Sequence, residues 1–144
     1  MYLAIFIGFL KLYLIIAAPT LSPNSYVVNK WNRLSASGLS PIRYFQTSIY
    51  LPSAGLVYII GGCDSSNKDF SDVWTYNINT LTWSTVTASG ASFPARDSFS
   101  SVLDTTTQTI YVFGGGILST KAVFADLWAF STTTGIMLSI CNDE

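Results

Sequence analysis

Apolar residues along this chain come in short runs rather than at helical spacing. Leu56–Ile60 (LVYII) and Thr109–Phe113 (TIYVF) are brief apolar runs bounded by turn residues, the pattern of buried strands. Asp72–Tyr76 and Asp126–Phe130 alternate instead: Val73 and Thr75 point one way, Trp74 and Tyr76 the other. Ahead of each apolar run lies a segment mixing apolar with small residues, Tyr44–Tyr50 and Ser98–Leu103, read as a first strand. A fourth strand is expected from Trp83 through Val86. Between the third and fourth, Asn77-Ile78-Asn79-Thr80 forms a turn whose Asn and Thr side chains can bond local backbone. Ser131-Thr132-Thr133-Thr134-Gly135 takes its place further on. No 3.6-residue periodicity is sustained after residue 18, so the pattern predicts an all-β fold.

The pattern occurs twice. Gly61-Gly62 and Gly114-Gly115 are 53 residues apart, as are Tyr58 and Tyr111, and Arg43 and Arg96. Trp74 and Trp128 are 54 apart, matching Tyr76 and Phe130. Trp31 and Trp83 are 52 apart, as are Ser37-Gly38 and Ser89-Gly90. Only loop lengths slip. Each unit therefore carries four strands joined by turns, a small antiparallel sheet with apolar residues on both faces. Such a sheet cannot bury both faces alone and must stack on neighbours. Radial stacking also protects sheet edges, which gives a propeller.

The phrase apolar-Tyr-apolar-apolar-Gly-Gly, a variable loop, Asp-x-Trp-x-Tyr, a polar turn and Trp resembles the kelch repeat over residues 31–137. The period of about 50 residues agrees. The resemblance implies one four-stranded β-propeller blade per repeat, with the Gly pair ending the second strand. It makes Tyr76 and Trp83 the aromatics that pack blade to blade, and Arg43 and Arg96 the arginines that open each unit. Two blades are expected, about residues 43–90 and 96–141, within a partial propeller over 31–144. Met137 stands where the first copy has Trp83, and Gly135 where it has Leu81, so the second blade is expected to end in a degenerate or truncated strand. Trp31–Leu34 is read as a fourth strand without the rest of its blade. Closed propellers hold roughly four to eight blades, so these units form an incomplete ring whose open edges invite self-association.

Residues 2–18 are apolar except for Lys11 and stop at the polar PTLSPNS. This predicts a secretory signal peptide over 1–18, followed by a linker over 19–30. An uncleaved membrane anchor is the alternative, although about 17 residues is short for roughly 30 Å of hydrocarbon. The expected location is therefore extracellular, or membrane-anchored in the secretory pathway. With 49% apolar and 10% charged residues, the chain has ample surface to bury and no disorder is expected. The net charge is −1 and the seven basic residues are scattered, which argues against nucleic-acid partners.

The absence of histidine bears most on chemistry. Kelch-type propellers include a copper radical oxidase acting on galactose, whose metal needs imidazole and phenolate ligands. This chain can be at most a fragment of such an enzyme, with the catalytic residues elsewhere. No Ser/His or Cys/His pair is available for acyl transfer. Cys63 and Cys141 fit no metal spacing and can pair or remain thiols. Asp64 and Asp69 flank a loop, but the glycine and bidentate glutamate of a calcium loop are missing. Gly114-Gly115-Gly116 lacks the Lys-Ser/Thr and helix of a phosphate loop. Asp72 and Asp126 repeat and are read as loop hydrogen-bonders, and Trp74, Trp83 and Trp128 as core residues rather than sugar-stacking platforms. The sequence thus predicts no catalytic, cofactor or metal residue. It predicts a binding scaffold for protein or glycan through the loops Cys63–Phe70 and Gly116–Phe124, which differ between copies.

Overall fold

The computed structural model describes residues 4–8, 11–15 and 36–141. Strands β1 (Ala4–Gly8) and β2 (Lys11–Ile15) pair as an antiparallel hairpin. The rest of the expected leader, the linker over 19–30 and the expected strand Trp31–Leu34 lie outside the described residues. Among the described residues every regular element is a strand.

The first unit folds as an antiparallel sheet of β3 (Thr47–Leu51), β4 (Leu56–Ile60), β5 (Val73–Asn77) and β6 (Thr82–Val86), paired in that order. After it, the two-residue β7 (Ser89–Gly90) leads into the second unit. That unit contains β8 (Ser100–Asp104), β9 (Thr109–Phe113), a small hairpin of β10 (Gly116–Ile117) and β11 (Ala122–Val123), β12 (Leu127–Ser131) and β13 (Ile136–Cys141). Its main sheet runs β8-β9-β12-β13-β7. The four long strands of each sheet form one antiparallel meander, and β7 joins the second sheet from outside it, parallel to β13.

First strands begin later than the apolar pattern suggests, at Thr47 and Ser100. Phe45 and Ser98 sit at φ 56° and 55°, in the left-handed region, and break the extended run. The fourth strand of the second sheet is not degenerate. It spans six residues and carries a bulge opposite Leu127/Trp128. Leu81 and Gly135 explain the misreading. Both precede their fourth strand at positive φ, 57° and 71°, where glycine is the less strained choice. Met137 in turn fills the Trp83 position and is fully buried.

The two sheets stack face to face in the same sense. Ile49, Leu56, Tyr58, Ile60, Val73 and Val86 of the first meet Leu103, Ile110, Val112, Trp128, Phe130 and Met137 of the second in one core. Phe93 and Phe99 of the connecting segment join that core, with Phe93 edge-on to the Trp128 ring at 5.3 Å. Burying each such side chain fully is worth about 1.5–3 kcal/mol. The innermost strands β3 and β8 touch, and the Thr47 and Ser101 hydroxyls hydrogen-bond across. On its other face the first sheet buries Val57, Ile59, Tyr76 and Ile78, with Tyr50, Trp74, Leu81 and Trp83 against them. Tyr76 and Trp83 pack ring to ring at 4.9 Å. Among the repeat aromatics Tyr58, Tyr76, Phe130 and Trp128 are buried, whereas Trp74, Trp83 and Tyr111 are half-buried.

Each sheet is closed at its outer edge by the Ser-Gly dipeptide preceding its unit. Ser89-Gly90 runs parallel to Ile136-Met137, and Ser37 bridges Thr82 the same way. A Cβ on Gly90 would lie 2.5 Å from the Met137 carbonyl oxygen, so only glycine permits this approach.

Candidate binding face

A repeated clamp fixes one end of the two sheets. Arg43 donates to both carboxylate oxygens of Asp72 and to the Gly61 carbonyl at 3.0 Å. Trp74 Nε1 donates to the same carboxylate at 2.7 Å. In the second unit Arg96 holds Asp126 and the Gly114 carbonyl (3.0 Å), and Trp128 Nε1 donates to Asp126 at 2.6 Å. Each guanidinium also covers a ring: Arg43 over Phe70 at 4.3 Å, Arg96 over Phe124 at 3.9 Å. The clamp ties the start of the unit to the end of its second strand and the start of its third. The loop between those strands is therefore held at both feet.

The electrostatics follow the contacts. Hydrogen bonds from Arg96 hold the Asp126 carboxyl below the ordinary carboxylate range, against the upward push of burial. At Asp72 burial is the largest influence and pushes up, but Arg43 and Trp74 together outweigh it and the net direction is down. The two sites differ in water access: the Arg96 side chain is 0% exposed and that of Asp126 9%, against 5% and 42% for Arg43 and Asp72.

Backbone bonds bring the entry segment of each unit to the same end. Tyr44 and Cys63 exchange N–H···O bonds of 2.9 Å, and Asp97 and Gly116 do likewise at 2.9 and 3.0 Å. Between units, Gly62 N donates to Arg96 O, Arg96 N to Phe70 O, and Ser98 N to Phe45 O. The second glycine of each pair makes this possible. A Cβ on Gly62 would stand 2.7 Å from the Tyr44 carbonyl oxygen, and one on Gly115 2.5 Å from that of Asp97.

The two variable loops thus sit side by side on a fixed frame, with different characters. The Cys63–Phe70 loop is polar and self-braced. The Asp64 carboxylate accepts from Ser66 N, Ser66 Oγ and Lys68 N, which lowers its pKa. With those bonds made, Asp64 serves the loop rather than a cation. The Gly116–Phe124 loop is the β10–β11 hairpin, and it presents Leu118 and Val123 to solvent, Val123 at 82% exposure. Ile42 and Phe45 are exposed beside the entry segment of the first unit. An apolar hairpin next to a polar loop is suited to gripping another macromolecule.

Sequence reading named Arg43, Arg96, Asp72 and Asp126 but did not join them. The signal was there, since the Arg–Asp separations are 29 and 30 residues in the two units. Cys63 and Cys141 are not joined by a disulfide; Cys63 is buried at the loop end and Cys141 is exposed in β13.

Two four-stranded meanders, stacked in one sense and clamped alike, are blades of a kelch-type β-propeller. The profile of the KLHDC2/KLHL20/DRC7 Kelch-repeats domain matches residues 23–140, and the chain belongs to this family. It is also similar to the Rab9 effector protein with kelch motifs of Bos taurus, at 36% identity over 91 residues. That match covers 59% of this chain and 24% of the relative, so the chain spans about a quarter of the curated protein it matches.

Proposed function

We propose that this kelch-repeat chain is a non-catalytic protein-binding module that engages its partner through the end carrying the β10–β11 hairpin, Phe45 and the Cys63–Phe70 loop. The observation that carries the reading is the contrast between frame and loops. The Arg–Asp–Trp clamp repeats residue for residue, while the loops it holds differ in length, charge and exposed apolar side chains. A rigid scaffold with distinct loops is how binding surfaces are built. The relative is described as a Rab9 effector, which makes Rab9 the first partner to test.

The test places a photo-crosslinking residue at Val123 or Phe45, and a control at Thr106 in the turn at the opposite end of the second blade. Protein adducts at the first two positions and none at the third are expected. Adducts concentrated at Thr106 would overturn the assignment of the binding end.

A second contact is favoured by a separate observation. The outer face of the second blade exposes Val102, Phe113, Leu138 and Ile140, with Tyr111 half-buried among them. Val102, Tyr111, Ala129 and Leu138 form one cross-strand row over the whole sheet. The same side of the first blade is the one that receives the second blade. This face accordingly takes another apolar sheet, including that of a second copy.

A further inference from the structure

Where the polar loop of the first blade meets the entry to the second, three ionisable side chains converge. The Cys63 sulfur and one carboxylate oxygen each of Asp69 and Asp97 all lie within 4.8 Å of one another. The site is enclosed: Cys63 is 0% exposed and Asp97 4%. Two of its oxygens, Asp69 Oδ1 and Asp97 Oδ2, are buried and accept no hydrogen bond. An orphaned buried carboxylate oxygen is costly, and two facing each other compound the cost. Nothing in the repeat demands this arrangement, because Gly116 occupies the Cys63 position in the second blade.

We propose that Cys63, Asp69 and Asp97 form a binding site for a zinc-like divalent cation that staples the first blade's loop to the second blade's entry segment. The donor set selects the class of metal. A sulfur ligand disfavours calcium and magnesium, which take oxygen, while a thiolate with two carboxylates suits zinc, whose fourth position can hold water. The backbone already holds the ligands in register. Cys63 bridges both Tyr44 and Asp69, and Asp97 bridges Gly116.

A thiolate and carboxylates bind a dication only in their deprotonated forms, so uptake of the cation is coupled to proton release and weakens as pH falls. The spacing rules that recognise zinc motifs could not find this site, because its third ligand comes from the next repeat.

The test is cobalt titration of the chelator-treated full chain in a Cys141→Ser background. A thiolate-to-cobalt absorption band in the near ultraviolet, with intense visible bands of a four-coordinate ion, is expected, and zinc should displace it. Cys63→Ser should abolish the ultraviolet band, and Asp97→Asn should weaken binding at least about tenfold. Protein that keeps its far-ultraviolet dichroism but shows no such band at millimolar cobalt would overturn the proposal. So would a band that survives Cys63→Ser. If Cys63→Ser does not fold, Asp69→Asn decides with the thiol intact. Unchanged cobalt affinity there refutes the site, and a clear loss supports it.

Discussion

Arg43 and Arg96 do the same work in different surroundings. Asp126 neutralises a guanidinium that water cannot reach, whereas much of Asp72 is solvated. Asp126→Asn should therefore cost about 3–5 kcal/mol, since it strands a buried cation. Asp72→Asn should cost less, because Arg43 is buried but water reaches 42% of the Asp72 side chain and already screens the pair. Urea unfolding of the two variants checks the difference, and equal losses would contradict it. The pH dependence has a definite sign. The folded carboxyl of Asp126 lies below its unfolded value, so its stabilisation is present above the ordinary carboxylate range and drains away as pH falls through the folded value. Wild-type stability should decline on acidification more steeply than that of Asp126→Asn, read as unfolding midpoints from neutral pH to strong acid.

At the scale of strands, bounded apolar runs located the second strands of both blades and alternation the third, each within a residue. They did so because these central strands carry most of the buried apolar residues of each sheet. What the pattern missed was backbone conformation. The left-handed residues Phe45 and Ser98 shorten the first strands, and nothing in a Phe or Ser side chain announces a positive φ. Gly135 was read as decay of the repeat although it is the better residue for its turn. The clamp was visible as repeated letters but not as contacts, because a repeat tells which residues recur and not which of them touch. Ser89-Gly90 was legible only as a recurring dipeptide, yet it forms the outermost strand of the second blade. Gly90→Ala forces a Cβ against the Met137 carbonyl at φ +90°, and should cost about 1–3 kcal/mol. Hydrogen exchange should show the Ala91 amide, which donates to Met137 at 2.8 Å, losing protection first. Trp128→Ala, at a buried site, should cost about 3–5 kcal/mol. The half-buried Trp74→Ala should cost less, an ordering that reverses if Trp74 rather than Trp128 anchors the stack.

For the molecule as a whole, the two broad sheet faces differ. One side of the first blade is buried at Val57, Ile59 and Tyr76, while the opposite side of the second blade leaves Val102, Phe113, Leu138 and Ile140 in water. If the proposed sheet contact is made by a second copy, sedimentation should show concentration-dependent association. Leu138→Lys should shift it toward monomer without changing the unfolding midpoint of the dilute protein. Association unchanged by that substitution would place the contact elsewhere.

A patch that pairs with itself also fixes the symmetry of the contact: two copies meet through the same surface, related by a two-fold axis, and the patch is used up in the pair. Assembly through this patch is then self-limiting, ending at a dimer rather than a fibre. Every substitution in the patch is then present twice, and Leu138→Lys brings two like charges into one contact. Mixing mutant with wild type should accordingly give hybrid pairs of intermediate affinity, a graded response that a one-to-one contact between unlike surfaces would not produce.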